Sequence, residues 1–213
     1  MKQLLIVGAR GWGREVFQAI LGTEEVRNGE LIIKGFLDSK KDALVGLRGS
    51  FPPIICSPEE YEIQSNDIFF VAMGNPHWRK HYAELMESKG GRFYTYISPD
   101  AYVLDTAVIG EGSFISHWCS VSDNVTIGKH VIMHSFSVLG HDAIVKDYGT
   151  LLNAVFLGGG AEVGESSQMS PNSMILPHKK IGKNVMVGAA SVVMRNVKDN
   201  MSVFGNPAVR LKF

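Results

Sequence analysis

From residue 102 to about residue 197 the hydrophobic positions recur every six residues. Stepping from Val103, the series passes through Ile109, Ile115, Val121, Ile127 and Met133 and continues to Val187 and Val193, and every member is aliphatic. Four residues after each aliphatic comes a second series, beginning Ala107, Ser113, Cys119, Val125 and ending at Val197. Its members are small or β-branched except Lys179. The residue just after the aliphatic is often glycine, as at Gly110, Gly128, Gly140, Gly158, Gly164, Gly182 and Gly188. A helix repeats at about 3.6 residues and an alternating strand at 2, so neither produces a strict six. A short strand plus a tight corner, repeated, does. Each unit sends one large and one small side chain inward, and glycine relaxes the corner. Stacked units then bury a continuous apolar column that no single unit could bury alone.

Residues 1–98 follow another rhythm. Apolar runs at 3–7, 31–37, 54–55, 68–73 and 93–97 predict strands, and segments 14–21 and 77–89 predict helices, with a further helix start at Pro58. Strands alternating with helices predict a small parallel sheet flanked by helices, Rossmann-like, with Ser98-Pro99-Asp100 as the junction. Between the first strand and first helix stands Gly8-Ala9-Arg10-Gly11-Trp12-Gly13. Glycines there let backbone amides approach a phosphate, and a helix N-terminus favours that anion. The spacing is G-x-x-G-x-G rather than G-x-G-x-x-G, so no dinucleotide is expected. Asp38 ends the second strand, where an acidic group can take a ribose hydroxyl, and Gly74 and Asn75 end a later strand at the sheet edge where such folds bind ligands.

Composition narrows the classes. The chain has 213 residues and a formal charge of zero, with no basic run, which argues against a nucleic-acid surface. No apolar run reaches about 18 residues, so no membrane span is expected. The opening Met1-Lys2 and the apolar run behind it are too short for a signal peptide. Cys56 and Cys119 form no metal pattern, and Cys119 falls in the small inward series. A reduced, cytoplasmic setting fits.

The hexads resemble the left-handed parallel β-helix of the hexapeptide-repeat acyltransferases. In that family three hexads make one triangular coil, which implies about five coils here. The whole chain resembles one branch more closely: the bacterial sugar acetyltransferases of the sialic-acid O-acetyltransferase type, which include N-acetyltransferases of nucleotide-linked amino sugars. The residues that carry this are the turn from Gly8 to Glu15, Gly35-Phe36-Leu37-Asp38-Ser39, Val71-Ala72-Met73-Gly74-Asn75, Gly140-His141-Asp142 and Gly205-Asn206-Pro207-Ala208. The family often has histidine where Trp12 stands, near the sugar nucleotide, so acceptor identity is the point of departure.

The resemblance implies a nucleotide-sugar-binding α/β domain over 1–98 and a β-helix acyltransferase domain with a C-terminal tail over 99–213. It implies an acetyl-CoA-dependent acetyltransferase acting on the amino group of a nucleotide-linked amino sugar, assembled as a homotrimer with active sites between neighbouring β-helices and needing no metal. Gly8, Arg10, Gly11, Trp12, Asp38, Ser39, Gly74 and Asn75 would hold the nucleotide sugar. Gly159 and Gly160, within Gly158-Gly159-Gly160, would let the pantetheine arm approach the backbone, with Gly188 and Ala189 as a second candidate.

Acetyl transfer to an amine needs a base for the departing proton and a donor for the oxyanion. Seven histidines compete for the first role. His77 and His81 sit four apart on a predicted helix and read as a solvated face. His117, His130, His134 and His178 fall at outward hexad positions and read as surface or subunit-contact residues. His141 differs: Gly140 precedes it, Asp142 follows it, and the three occupy the family's Gly-His-Asp/Glu motif. His141 as general base with Asp142 orienting it is what the resemblance implies.

Three other readings use the same prism. A gamma-type carbonic anhydrase needs three histidines on zinc, two of them five residues apart. Here His130 and His134 are four apart and His134 and His141 seven. A non-catalytic scaffold or sugar-nucleotide sensor would bind ligand without consuming acetyl-CoA. O-acetylation of a sugar or sialic acid would use the same residues as N-acetylation.

Overall fold

The computed structural model describes residues 1–211. Two compact units divide the chain, Met1–Tyr94 and Thr95–Phe213.

In the first unit, strand β1 (Lys2–Val7) leads to helix α1 (Gly11–Leu21), a short helix α2 (Glu24–Arg27), strands β2 (Leu31–Leu37), β3 (Ile54–Cys56) and β4 (Asp67–Val71), and helix α3 (Pro76–Ser88). The sheet order is β3-β2-β1-β4, and each pair is parallel. Because the chain builds outward from β1 to β2 and β3 and then returns to β4 on the other side, the strand order reverses at β1. The C-terminal ends of β1 and β4 therefore flank a crevice. Leu4, Leu5, Ile6 and Val7 are fully buried, as are Phe69 and Phe70 of β4, which explains their continuous apolar runs.

Two sequence expectations change here. No helix starts at Pro58; residues 58–60 form a turn. Too few residues remain before β4, and Tyr61 is drawn inward instead. Its hydroxyl donates to Asp67 Oδ2 at 2.7 Å and accepts from Lys34 Nζ at 2.7 Å, while Lys34 also reaches Asp67 Oδ1 at 2.9 Å. The strand expected over 93–97 also divides. Phe93 bridges Phe69 in the first unit, whereas Tyr96–Ile97 pairs with Phe114–Ile115 as the first rung of the second.

The second unit is a three-sided parallel β-helix. Its rungs are two-residue strands, and a residue and its partner in the next coil lie 18 apart, as with Val131 and Ser113. One sheet stacks Val108–Ile109, Thr126–Ile127, Ile144–Val145, Glu162–Val163 and Lys180–Ile181. A second runs from Tyr96–Ile97 to Ser202–Phe204 and a third from Tyr102–Val103 to Val192–Val193. Val209–Arg210 closes the second sheet antiparallel. The tail expected over 209–213 is described as far as 211.

Both inward series are where the period put them. Ile115, Val121, Met133, Leu139, Leu151, Leu157, Met169 and Ile175 have no exposed surface. Each such side chain contributes about 1.5–3 kcal/mol on burial. The small series often uses serine because its hydroxyl joins successive coils. Ser113 Oγ donates to Gly128 O at 2.8 Å and accepts from Val131 N at 2.9 Å, and Ser167 does the same between Gly182 O and Val185 N. The buried hydroxyls are thereby satisfied.

The glycines after the aliphatics do not relax the corners. Positive φ falls two residues further on, at Trp118, Asn124, His130, Phe136, Asp142, Tyr148 and others down to His178 and Ala190. The glycines instead admit the next coil. A Cβ on Gly164 would stand 2.3 Å from Gly182 O, and one on Gly110 would stand 2.5 Å from the carbonyl carbon of Gly128.

Candidate functional site

In the first unit the crevice is a cavity of about 360 Å³. Gly8, Arg10, Trp12, Asp38, Ser39 and Gly74 line it, together with Met73, Trp78 and Tyr82. Gly8 has φ +103°, and Gly13 lies so close beneath that its Cβ would stand 1.8 Å from Gly8 O. The turn is thus shut tight by Gly8 and Gly13, and α1 begins directly at the cavity. No acidic residue occupies the first turn of α1, and Arg10 stands at its N-cap. Amide dipole and guanidinium together make this end attractive to an anion.

The other expected residues take different parts. Gly11 does not line the cavity, and the nearest atom to its Cβ position is an Arg14 guanidinium nitrogen at 3.9 Å. Asp38 is nearly buried and receives Ala9 N on Oδ2 and Lys40 N on Oδ1, both at 2.9 Å. It pins the glycine turn to the end of β2 as well as facing the cavity. Asn75 caps α3, its side-chain oxygen accepting from His77 N at 2.9 Å and Trp78 N at 3.4 Å.

Sequence reading missed the aromatic wall. Trp78 is half exposed on α3, with edge contacts to His77 at 5.4 Å and His81 at 5.8 Å, and Tyr82 follows one turn on. Burial pushes the Tyr82 hydroxyl up, and Glu59 adds to this by charge and hydrogen bond. The signal was present as aromatics at i and i+4 on a helix that opens from the sheet edge. His77 and His81 are exposed, as expected of a solvated face, and both make edge contacts with Trp78 there. Arg79, almost fully buried, donates to Met73 O at 2.7 Å and Gly74 O at 3.2 Å and so fixes the cavity floor.

In the second unit, His141 and Asp142 stand on one corner of the prism. His141 Nδ1 lies 2.7 Å from Asp142 Oδ2, and Asn124 Nδ2 donates to Asp142 Oδ1 at 2.7 Å. A carboxylate only accepts, so in the neutral imidazole the hydrogen sits on Nδ1 and the lone pair is on Nε2. The Asp142 carboxyl is held below the usual carboxylate range, first by its bond from His141 and then by Asn124. The side chains are 65% and 54% exposed in the chain, so the imidazole stands at the surface of the prism. Its position depends on Gly159 one coil on, where a Cβ would stand 2.6 Å from Nε2. Gly159 thus makes room for the imidazole. At Gly160, φ is +64° and a Cβ would meet His178 Nδ1 at 2.5 Å. The Gly188 space is filled by the Phe204 ring, with a Cβ position 2.2 Å from it, while Ala189 is exposed.

The remaining histidines separate clearly. His117 contacts Ser116 and Ser135 hydroxyls through its two ring nitrogens at 3.3 and 3.1 Å. His130, expected at the surface, is only 3% exposed because Tyr148 stacks over it, with ring planes 2° apart. His134 is partly buried and His178 exposed. Among the described residues no group of three or more His, Cys, Asp or Glu is placed to hold a metal ion, and no helix is long and apolar enough to cross a membrane.

Residues 3–86 match the family model of the PglD N-terminal domain, and residues 106–141 match that of the bacterial transferase hexapeptide (six repeats). The acetyltransferase domain of PglB from Neisseria gonorrhoeae FA1090, solved in complex with acetyl coenzyme A, is 26% identical with a TM-score of 0.84, covering 99% of each chain. A mutant of perosamine N-acetyltransferase from Caulobacter crescentus, solved with CoA and GDP-perosamine, has a TM-score of 0.86 over 100% of this chain and 98% of that one. At 22% identity it speaks for the fold alone. Acyl-[acyl-carrier-protein]–UDP-N-acetylglucosamine O-acyltransferase of Pseudomonas aeruginosa is 31% identical over 106 residues, 49% of this chain and 41% of that protein. The chain thus spans about two fifths of the length of the curated relatives it matches. The chain thus joins a segment similar to the PglD N-terminal domain to one similar to the bacterial transferase hexapeptide repeats.

Proposed function

We propose that this protein transfers an acetyl group from acetyl-CoA to the amino group of a nucleotide-linked amino sugar. The observation that carries the reading is the exposed His141 imidazole, held through Nδ1 by an ionised Asp142 that Asn124 steadies in turn. The neutral amine attacks the thioester carbonyl. His141 Nε2 takes the proton that the nitrogen sheds, and Asp142 favours the imidazolium as it forms. The C–S bond breaks with its electron pair on sulfur. A backbone N–H steadies the oxyanion.

The nucleotide end belongs to the cavity of the first unit. Arg10 and the start of α1 face the phosphates, Asp38 and Ser39 the ribose, and Trp12 and Gly74 the rest of the ligand. Gly11 and Asn75 shape this site through the turn and the α3 cap. Pantetheine lies along the prism past Gly159 and Gly160, with Ala189 further along and Gly188 under Phe204. The working form is a homotrimer in the cytoplasm.

O-acetylation is the second reading, favoured by the curated relative that is an O-acyltransferase of a UDP-linked sugar. One assay separates them. Coenzyme A release is measured with uridine, thymidine and guanosine diphosphate sugars, each with an amine or a hydroxyl at the same carbon. The reading predicts turnover with at least one amine and about 100-fold less with its hydroxyl partner. Equal or better turnover of the hydroxyl sugars contradicts it. Binding of a nucleotide sugar with no coenzyme A release would make the protein a sensor.

A further inference from the structure

Three imidazoles of the prism lie against glycines. His130 rests on Gly112, whose Cβ would stand 2.3 Å from its Nδ1, and Tyr148 covers its other face, so that space is filled. The other two are open. His141 leans toward the coil that follows it and lies over Gly159. His178 leans back toward the coil that precedes it and lies over Gly160. Gly159 and Gly160 are adjacent, so the two rings converge on one glycine step from opposite sides. His178, Gly160 and Asp142 stand in one column of the corner, each with positive φ. Among the influences that hold the Asp142 carboxyl low, after its hydrogen bonds from His141 and Asn124, are the charges of both histidines.

We propose that His178 is a second functional imidazole of the acetyl-transfer site, which hydrogen-bonds the acyl donor over Gly159 and Gly160 and protonates the coenzyme A sulfur as it leaves. This rests on the acetyl-transfer reading above. The amine lone pair forms the C–N bond and His141 Nε2 accepts the N–H proton. The C–S bond breaks, its electrons stay on sulfur, and the His178 imidazolium supplies the proton that completes the thiol. His141 then loses a proton to water and His178 regains one, which restores both. A placed general acid is worth about 100-fold in rate.

Alanine is tolerated in this backbone conformation, because Ala154 and Ala190 hold the equivalent positive-φ position on another corner at +58° and +54°. The test uses His178→Ala and His178→Gln in the full chain. Steady-state kinetics with acetyl-CoA should show kcat about 100-fold lower in both, with KM for acetyl-CoA raised in His178→Ala and near wild type in His178→Gln, which keeps a donor but no labile proton. A kcat within about twofold of wild type in His178→Ala overturns the proposal, as does full rescue of kcat by glutamine. Calorimetry with coenzyme A alone keeps the two ideas apart. If the wild type turns over no acceptor, the acetyl-transfer reading fails, yet weaker binding to His178→Ala than to wild type and His178→Gln still places His178 at the donor. Equal binding by all three overturns it.

Discussion

At the residue scale, the centre of the account is one hydrogen-bonded line, Asn124 to Asp142 to His141. Two of its members, Asp142 and His141, were visible in the sequence as neighbours in Gly140-His141-Asp142. Asn124 was not, because it comes within reach of Asp142 only through the 18-residue coil spacing. The same spacing hid the part of Gly159, which looks like a free ligand approach until the imidazole is placed over it. Asn124→Ala should let the Asp142 carboxyl rise toward its ordinary value, since one of the two bonds holding it low is gone. Carboxyl-carbon NMR across acid pH checks this, and an unmoved midpoint would show that Asn124 contributes nothing. Gly159→Ala should tip the imidazole away and cut turnover by about 100-fold while leaving the melting temperature nearly unchanged. Retained turnover would mean that the ring position does not matter.

At the element scale, the period of six specified strands, corners and the inward series, because each is a local consequence of spacing. It misassigned the glycines, since a missing Cβ serves a positive φ and a close approach equally well. Only the neighbouring coil distinguishes them. In the first unit the strand–turn–helix at 2–21 was readable from its apolar run and glycines. The Lys34–Tyr61–Asp67 network was not, for its members lie far apart in sequence. Burial pushes the Asp67 carboxyl up, but bonds from Lys34, Gln64 N and Tyr61 outweigh it and hold it low. A carboxyl lowered by folding stabilises fully above its unfolded value, about 3.9, and loses that contribution as pH falls through its folded value. Asp67→Asn should therefore destabilise the protein by about 2 kcal/mol at pH 7, with the difference from wild type shrinking below about pH 4. Urea unfolding at both pH values measures it; a constant difference would contradict the network's charge. Gly13→Ala should cost about 3 kcal/mol and abolish nucleotide binding, because its methyl meets the Gly8 carbonyl, whereas Gly11→Ala should retain binding.

At the scale of the whole molecule, two kinds of order divide the labour. A layered sheet has a crevice at its strand-order reversal, and a stacked prism presents an imidazole on one corner. The two-part arrangement was apparent from the change of rhythm near residue 98. The aromatic wall of the cavity was not, because Trp78 and Tyr82 come from a helix that reads as merely amphipathic. The proposed function turns on removal of the acceptor's proton by the His141 imidazole. Its most direct measurement is single-turnover acetyl transfer by His141→Ala and by wild type, at saturating acetyl-CoA and acceptor, across pH 6–9. The account predicts a rate at least about 100-fold lower for the variant, with a slope against pH that follows the free amine alone. A variant that matches wild type in rate and pH profile would contradict it.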